Sequence, residues 1–139
     1  MIINTKELVY KIREQIKEEV AELNYKPRLL IIQIEGDKAS DSYVKNKMKL
    51  GAELGLKVGH QLLPYNITQR ELEIYIKAMN ESSYDGIIVQ LPLPKHIDER
   101  AVLELIDPKK DVDGLTSAQM GYLATNHDET LIPCTAHGV

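Results

Sequence analysis

The chain alternates between apolar residues at helical spacing and continuous apolar runs. The first pattern places an apolar side chain at every fourth position among lysines and glutamates, namely at Leu8, Ile12, Ile16 and Val20. This period predicts an amphipathic helix over about residues 5–23, with Thr5 as its N-cap. The run RLLIIQIE at 28–35 is apolar nearly throughout, as expected of a strand that is buried on both faces.

The same alternation continues through the middle of the chain. A helix is predicted from Ser40 to about Leu54, where Gly55 ends it, and LKVGHQLLP predicts a second strand. The sequence TQRE at 68–71 has the form of a capping box and opens a third helix. Its inward side chains are expected to be Leu72, Ile76 and Met79. The run YDGIIVQLP then predicts a third strand.

The last part of the chain has shorter elements. Asp98 is the expected cap of a short helix through Ile106, and the loop DPKKDVDG follows it. Ser117 opens another helix toward Ala124, and a brief strand is expected near Leu131. Alternating strands and helices predict an α/β fold with three layers, α/β/α, around a mainly parallel sheet of about four strands.

Composition limits the possible functions. The 139 residues are 43% hydrophobic and 27% charged, which suits one globular domain. A net charge of −4 gives no basic face for nucleic acid, and no apolar run approaches the roughly 20 residues that span a bilayer. The single cysteine, Cys134, excludes an internal disulfide framework and fits a reducing compartment. We therefore expect a cytoplasmic protein that binds neither nucleic acid nor membrane.

The segments that follow the predicted strands indicate where a ligand would bind. In doubly wound sheets, ligands bind beyond the carboxyl ends of the strands. The segments at those ends are EGDKAS, QLPLPKH and PCTAHG. EGDKAS has one glycine and lacks the G-x-G-x-x-G pattern, so it predicts no dinucleotide site of that kind. The four histidines show no metal-ligand spacing and receive no metal role.

Lys47 belongs to the apolar stripe of its predicted helix. At about 100° per residue, one sector of roughly 80° holds Ser40, Tyr43, Lys47, Leu50 and Leu54. Lys45 and Lys49 point almost the opposite way. A lysine on the packed side either lowers its pKa by desolvation, which suits proton transfer, or extends past the core edge into water. The spacing leaves both interpretations open.

Three other polar residues allow two interpretations each. Gln90 ends a strand and either bonds to backbone or presents its amide to Lys47. Asp111 and Asp113 lie in a loop with Gly114 and either make local turns or accept the paired N–H donors of an amino-heterocycle. Cys134 is best interpreted as a buried structural thiol.

Four motifs in this order resemble one family over essentially the whole chain. ASDSYVKNKMK, DGIIVQLPLPKHID, KDVDGLT and PCTAHGV are similar to the amino-terminal catalytic domain of bifunctional methylenetetrahydrofolate dehydrogenase/cyclohydrolases. The resemblance implies that Lys47 is the catalytic lysine, that Tyr43 stacks on the folate and that Gln90 tunes the lysine. It implies that Asp113 holds the pterin. It also matches further pocket positions: Ser40, Leu91, Asp111, Pro133, Cys134 and Thr135.

The resemblance also sets expectations for cofactor and domains. It implies a folate substrate, NADP bound mainly by a Rossmann domain that would follow Val139, and a homodimer for the full-length protein. We therefore expect residues 1–139 to be the folate-binding domain of a longer enzyme, incomplete for the dehydrogenase step and without a cofactor site of its own. The family usually has proline where this chain has Ala136.

Two other functions remain as alternatives. The chain would be a noncatalytic, truncated folate-binding or regulatory module, or the substrate domain of another α/β dehydrogenase. Retention of Tyr43, Lys47, Gln90 and Asp113 together disfavours the first, because a module that only binds folate has no need of the lysine and glutamine pair.

Overall fold

The computed structural model describes residues 5–125, 127 and 131. The elements in these residues follow the predicted order: α1 (Thr5–Glu22), β1 (Arg28–Ile34), α2 (Lys38–Glu53), β2 (Lys57–Leu63), α3 (Gln69–Asn80), β3 (Gly86–Val89), α4 (Glu99–Leu103) and α5 (Ser117–Thr125). None of the helices in the described residues is long and apolar enough to cross a membrane.

The sheet is parallel, with β1 at its centre. Its strand order is β2-β1-β3, and Ile31 of β1 pairs with His60 on one side and Ile88 on the other. One further parallel bridge joins Ile87 to Asp111. The fourth strand predicted near Leu131 falls outside the described residues, except for Leu131 itself, whose backbone N–H donates to the Gln119 side chain at 3.1 Å.

Side chains of β1 alternate between two helical layers. Leu30 and Ile32 face one cluster, which contains Leu72 and Ile76 of α3 together with residues of α4. Ile31 faces the opposite cluster with Val44 of α2 and Ile88 of β3. Burying each such side chain contributes about 1.5–3 kcal/mol, so the apolar run of β1 stabilises both layers at once. The predicted three-layer α/β/α architecture is confirmed.

Helix α2 begins two residues before the predicted Ser40. The Asp37 carboxylate accepts hydrogen bonds from the backbone N–H groups of Ala39 and Ser40, so Asp37 is the N-cap and Lys38 the first helical residue. Gly55, with φ of 89°, follows the helix as predicted. Gly51 lets α2 approach the sheet closely, because a Cβ added there would lie 2.4 Å from Cγ2 of Val58 on β2.

The capping box of α3 is as predicted, whereas β3 and α4 are shorter than predicted. Thr68 and Glu71 form the predicted capping box of α3. Strand β3 has only four residues, and α4 ends at Leu103 rather than Ile106. Beyond Leu103 the backbone bonds tighten to three-residue spacing, including Ile106 N–H to the Leu103 carbonyl at 3.2 Å, which is the geometry of a turn rather than an α-helix.

Candidate active site

Lys47 and Gln90 meet at the carboxyl end of the sheet. Gln90 directly follows β3, and its Oε1 accepts a hydrogen bond from Lys47 Nζ at 3.2 Å. Its Nε2 donates to the Leu91 carbonyl at 2.8 Å, which directs the amide oxygen toward the lysine. Lys47 is half-buried. The contact with Gln90 that the sequence left as an alternative is confirmed, and the half-buried Lys47 lies on the packed side of α2 that its helical phase predicts.

A cavity of about 390 Å³ adjoins this contact. Its lining comes from the start of α2 and the segment after β3: Asp37, Ala39, Ser40, Tyr43, Lys47, Gln90, Leu91 and Pro92. Tyr43 lies one helical turn before Lys47 and is 64% exposed, so most of its ring is available to a ligand. Leu91–Pro92 is a cis peptide.

Ser40 connects the first turn of α2 to the segment after β3. It is 3% exposed, and its hydroxyl lies 2.6 Å from Asp37 Oδ2 and 3.2 Å from the Leu91 carbonyl oxygen. The Ser40 hydroxyl and then the Ala39 N–H hold the pKa of Asp37 below its usual value. Asp37 therefore places a negative charge at the rim of the cavity at neutral pH.

The two loop aspartates have different environments. Asp111 is 1% exposed, and its carboxylate accepts from the N–H groups of Gly114 at 3.0 Å and Thr116 at 2.8 Å. These contacts are those of a local turn, one of the two interpretations that the sequence left open for this residue. Asp113 is half-buried, and its pKa is raised by desolvation while the charge of Lys47 opposes that rise. The Asp113 carboxylate therefore interacts electrostatically with the Lys47 side chain.

The remaining predicted pocket positions, Pro133, Cys134 and Thr135, lie outside the described residues, as does Ala136. Their pocket roles stay predictions. Within the described residues there is no group of three or more histidine, cysteine and acidic side chains that could hold a metal ion.

Sequence reasoning missed several residues around the site. Gln33, in the middle of an apolar strand, is 2% exposed and bonds to both Asp41 on α2 and His60 on β2, each at 2.8 Å. Asp37 carried a signal, since an aspartate just before a helix is a common cap. Arg13 of α1 carried none, because only the tertiary structure brings it to the same groove as Tyr43.

Known proteins match this chain in sequence and in fold. The family model "Tetrahydrofolate dehydrogenase/cyclohydrolase, catalytic domain" matches residues 3–113. The bifunctional protein FolD of a Nitratiruptor species is 45% identical over 99% of this chain and 50% of its own length. That of a Sulfurihydrogenibium species is 41% identical over 100% of this chain and 50% of its own.

Solved structures of family members share this fold. The bifunctional FolD methylenetetrahydrofolate dehydrogenase/cyclohydrolase of Campylobacter jejuni superposes with a TM-score of 0.92 at 39% identity, over 96% of this chain and 49% of that one. The Trypanosoma brucei methylenetetrahydrofolate dehydrogenase-cyclohydrolase, solved with NADP and an inhibitor, gives 0.89 at 35% identity, over 99% and 48%. The chain thus spans about half the length of the relatives it matches. It belongs to the tetrahydrofolate dehydrogenase/cyclohydrolase family, as part of the catalytic domain.

Proposed function

We propose that this chain supplies the folate site and the catalytic lysine of a bifunctional enzyme of one-carbon metabolism. The complete protein oxidises 5,10-methylenetetrahydrofolate to 5,10-methenyltetrahydrofolate with NADP and hydrolyses that product to 10-formyltetrahydrofolate. The observation that carries this proposal is the contact of Lys47 Nζ with Gln90 Oε1 at 3.2 Å, beside the exposed ring of Tyr43.

Asp113 and Tyr43 are the proposed folate contacts. The amino-substituted ring of a pterin presents adjacent N–H donors, and a carboxylate accepts such a pair with both oxygens. Among the described residues, no hydrogen bond engages the Asp113 side chain, so its acceptor capacity is available to a ligand. The Tyr43 ring offers a flat surface on which the folate rings stack.

Lys47 is the proposed proton-transfer group. Hydrolysis of the methenyl compound requires water to lose a proton as it adds to the cationic one-carbon bridge, and the ring nitrogen to gain one as the ring opens. A lysine amine within reach can carry those protons. Its partner Gln90 is neutral, so it orients the amine without fixing it as a permanent cation, which would repel the cationic substrate.

The N-terminus of α2 does not fit the pyrophosphate of NADP. Pyrophosphates bind at helix N-termini that offer free backbone N–H groups. At the N-terminus of α2, which follows β1, the Asp37 carboxylate already accepts from the Ala39 and Ser40 N–H groups and would repel a phosphate. We therefore assign the cofactor, which accepts the hydride when bound, to a following Rossmann domain.

The same proposal covers the wider organisation of the protein. Residues 1–139 form one folate-binding domain of a cytoplasmic enzyme that is a homodimer in its complete form. Pro133, Cys134 and Thr135 complete the folate pocket, together with Ser40 and Leu91 at its described end. The alternative of a noncatalytic folate-binding module has no specific observation in its favour.

Replacing Lys47 by methionine in the complete protein tests the proposal. Hydrolysis of 5,10-methenyltetrahydrofolate should fall by about a hundredfold or more, because general acid-base groups contribute about 10²–10⁴-fold. The circular dichroism spectrum and the thermal midpoint should stay close to those of the wild type. Lys45→Met is the matched control, since Lys45 is exposed on the same helix and should be nearly silent. Retained turnover in Lys47→Met would reject the assignment.

A further inference from the structure

Gln33 lies in the central strand β1 and connects it to two neighbouring elements. It is 2% exposed, and its Nε2 donates to Asp41 Oδ1 of α2 at 2.8 Å. Its Oε1 lies 2.8 Å from His60 Nε2 of β2. A carboxylate only accepts hydrogen bonds, so the NH2 group of the Gln33 amide must face Asp41, and the His60 ring nitrogen must donate to the amide oxygen. Both ends of this buried amide are therefore satisfied, one of them by the helix that carries Lys47.

A second glutamine holds the same helix from the neighbouring strand. The Gln90 backbone N–H donates to the Ile32 carbonyl of β1 at 2.8 Å, so Gln90 lies beside the residue that follows Ile32, which is Gln33. Gln33 binds Asp41, and Gln90 binds Lys47. Two side-chain hydrogen bonds thus attach α2 to the carboxyl end of the sheet, one from β1 and one from the segment that follows β3.

Asp41 and Lys47 lie on opposite sides of the residue through which α2 packs on the sheet. Val44 is 1% exposed and contacts Ile31 and Ile88. At about 100° per residue, Asp41 and Lys47 project about 60° to either side of Val44. Apolar contacts at Val44 are non-directional and define the rotation of α2 about its axis only weakly, whereas hydrogen bonds are directional. The hydrogen bond at Asp41 therefore limits a rotation that would move Lys47 on the other side.

We propose that Gln33 is a positioning residue for hydrolysis of the methenyl substrate. Through Asp41 it holds α2 at the rotation in which Lys47 Nζ reaches Gln90 Oε1. The kinetic consequence of this inference rests on the proposed function, in which Lys47 carries the protons of that step. The site thereby includes a residue that does not line the cavity.

Replacing Gln33 by leucine in the complete protein tests the inference. Leucine fills a similar volume in an apolar strand, and the Asp41 and His60 side chains that lose their partner are exposed, so the Tm should not fall. The kcat for 5,10-methenyltetrahydrofolate hydrolysis should fall about tenfold. Misplacing a reacting group by about 1 Å costs about a hundredfold, of which the flexible lysine stem recovers a part. A merely structural role would lower the Tm and leave the kcat of the folded protein unchanged.

Two further measurements show whether the effect acts through Lys47. In a crystal structure of Gln33→Leu, Lys47 Nζ should lie beyond hydrogen-bond reach of Gln90 Oε1, from which it is 3.2 Å away in the wild-type protein. In a Lys47→Met background, adding Gln33→Leu should change the remaining rate by less than about twofold, because the helix then positions no amine.

Two substitutions of Asp41 separate its charge from its hydrogen bond. Asp41→Asn and Asp41→Ala both remove the negative charge, but only asparagine keeps an oxygen that accepts from the Gln33 amide. Asp41→Asn should keep the kcat within about twofold of the wild type, whereas Asp41→Ala should lower it about tenfold. Equal kcat values for these two variants would contradict a role of the hydrogen bond.

Gln69→Leu is the matched control for loss of a bonded glutamine. Gln69 of α3 likewise donates to a carboxylate, that of Glu73, at 2.8 Å and accepts from the Asp98 N–H at 2.8 Å, but both partners lie outside α2. Its kcat should equal that of the wild type.

The outcomes distinguish this inference from the proposed function. A wild-type kcat in Gln33→Leu, or an unchanged distance from Lys47 Nζ to Gln90 Oε1, would overturn the inference and leave the folate site standing. If the wild-type protein does not hydrolyse 5,10-methenyltetrahydrofolate, the proposed function fails. The distance in the crystal structure then still decides whether Gln33 positions Lys47.

Discussion

Lys47 Nζ and Gln90 Oε1 lie 3.2 Å apart, although 43 positions separate them in the chain. The lysine belongs to a helix, and the glutamine follows a strand of the sheet that this helix covers. The hydrogen bond from Gln90 Nε2 to the Leu91 carbonyl fixes which amide atom faces the amine. The lysine thus meets an oriented, uncharged acceptor.

Replacing Gln90 by glutamate should move the pH dependence of methenyltetrahydrofolate hydrolysis. A carboxylate at this distance would form a charge pair with the Lys47 amine, which the neutral amide does not, so the pH–rate profile should move to higher pH. The maximum rate should fall, because an amine held in a charge pair is a poorer proton acceptor. The measurement is the rate of cyclohydrolase turnover between about pH 6 and 10.

Gln61→Glu is the matched control for that shift. Gln61 is an exposed glutamine on β2 that does not line the cavity. Its variant should keep the wild-type profile. An unchanged profile in Gln90→Glu would contradict the proposed coupling of the amide to the lysine.

Truncating Tyr43 should weaken substrate binding without weakening the fold. Tyr43 is 64% exposed, so Tyr43→Ala should change the free energy of unfolding by less than about 0.5 kcal/mol. Its KM should rise by about tenfold, since aromatic stacking on a ligand ring is worth about 1–3 kcal/mol. Steady-state kinetics and urea denaturation separate the two effects. Tyr43→Phe should keep most of the affinity, because it keeps the ring.

Tyr10→Ala controls for loss of an exposed tyrosine. Tyr10 on α1 is also 64% exposed and does not line the cavity. Its KM should equal that of the wild type. Equal KM values for Tyr43→Ala and Tyr10→Ala would exclude stacking at Tyr43.

The sequence predicts the helices and strands well because their signals are local. An apolar run such as β1 must be buried on both faces, and the capping box of Thr68 and Glu71 is complete within four residues. The phase of α2 likewise predicts that Lys47 faces inward. Each of these inferences needs only neighbours along the chain.

The choice between alternative loop contacts, and the contacts between distant segments, were not predictable in the same way. Nothing local indicates that Asp111 turns its carboxylate toward Gly114 and Thr116 while Asp113 keeps its own free of such bonds. The early start of α2 is a different case, because Asp37 just before the helix is a local cap signal that the prediction overlooked. Arg13 of α1 lines one groove with Tyr43 of α2, which no local pattern of the sequence indicates.

Replacing Asp113 by asparagine should stabilise the fold and weaken folate binding. Burial raises the Asp113 pKa, so its ionised form costs stability in the folded state. The neutral variant avoids that cost, and its Tm at neutral pH should rise by about 1–3 °C. The gain should be absent below the pKa of the unfolded state, grow as pH rises and be complete above the raised pKa of the folded state. Thermal melts at several pH values check the sign.

Asp111→Asn provides the contrast. Its amide would place donors against the N–H groups of Gly114 or Thr116, so unfolding free energy should fall by about 1–3 kcal/mol. Asp113→Asn should therefore stabilise the fold at neutral pH, whereas Asp111→Asn should destabilise it. Destabilisation by Asp113→Asn at neutral pH would contradict the desolvation argument.

Adding one methyl group at Gly86 should disturb the loop that carries Asp113. A Cβ at Gly86 would lie 2.6 Å from Cγ1 of Val112 and 3.3 Å from Cδ1 of Leu29. Either β3 or Val112 must shift, which costs about 1–3 kcal/mol and displaces the adjacent Asp113. Urea denaturation measures the first effect and the KM for folate the second. Gly121→Ala is the control, since its added Cβ would meet no atom within 4 Å.

The close approach of α2 to β2 at Gly51 limits which substitutions position 51 can accept. Tyr43 and Lys47 belong to α2, whereas Gln90 directly follows β3 of the sheet. The distance between α2 and the sheet therefore sets the distance between Lys47 Nζ and Gln90 Oε1. A side chain at position 51, one helical turn from Lys47, would push α2 away from β2. That movement would separate Lys47 Nζ from Gln90 Oε1 without changing any residue that lines the cavity. The spacing between α2 and the sheet thus determines the Lys47–Gln90 contact as much as these two side chains do.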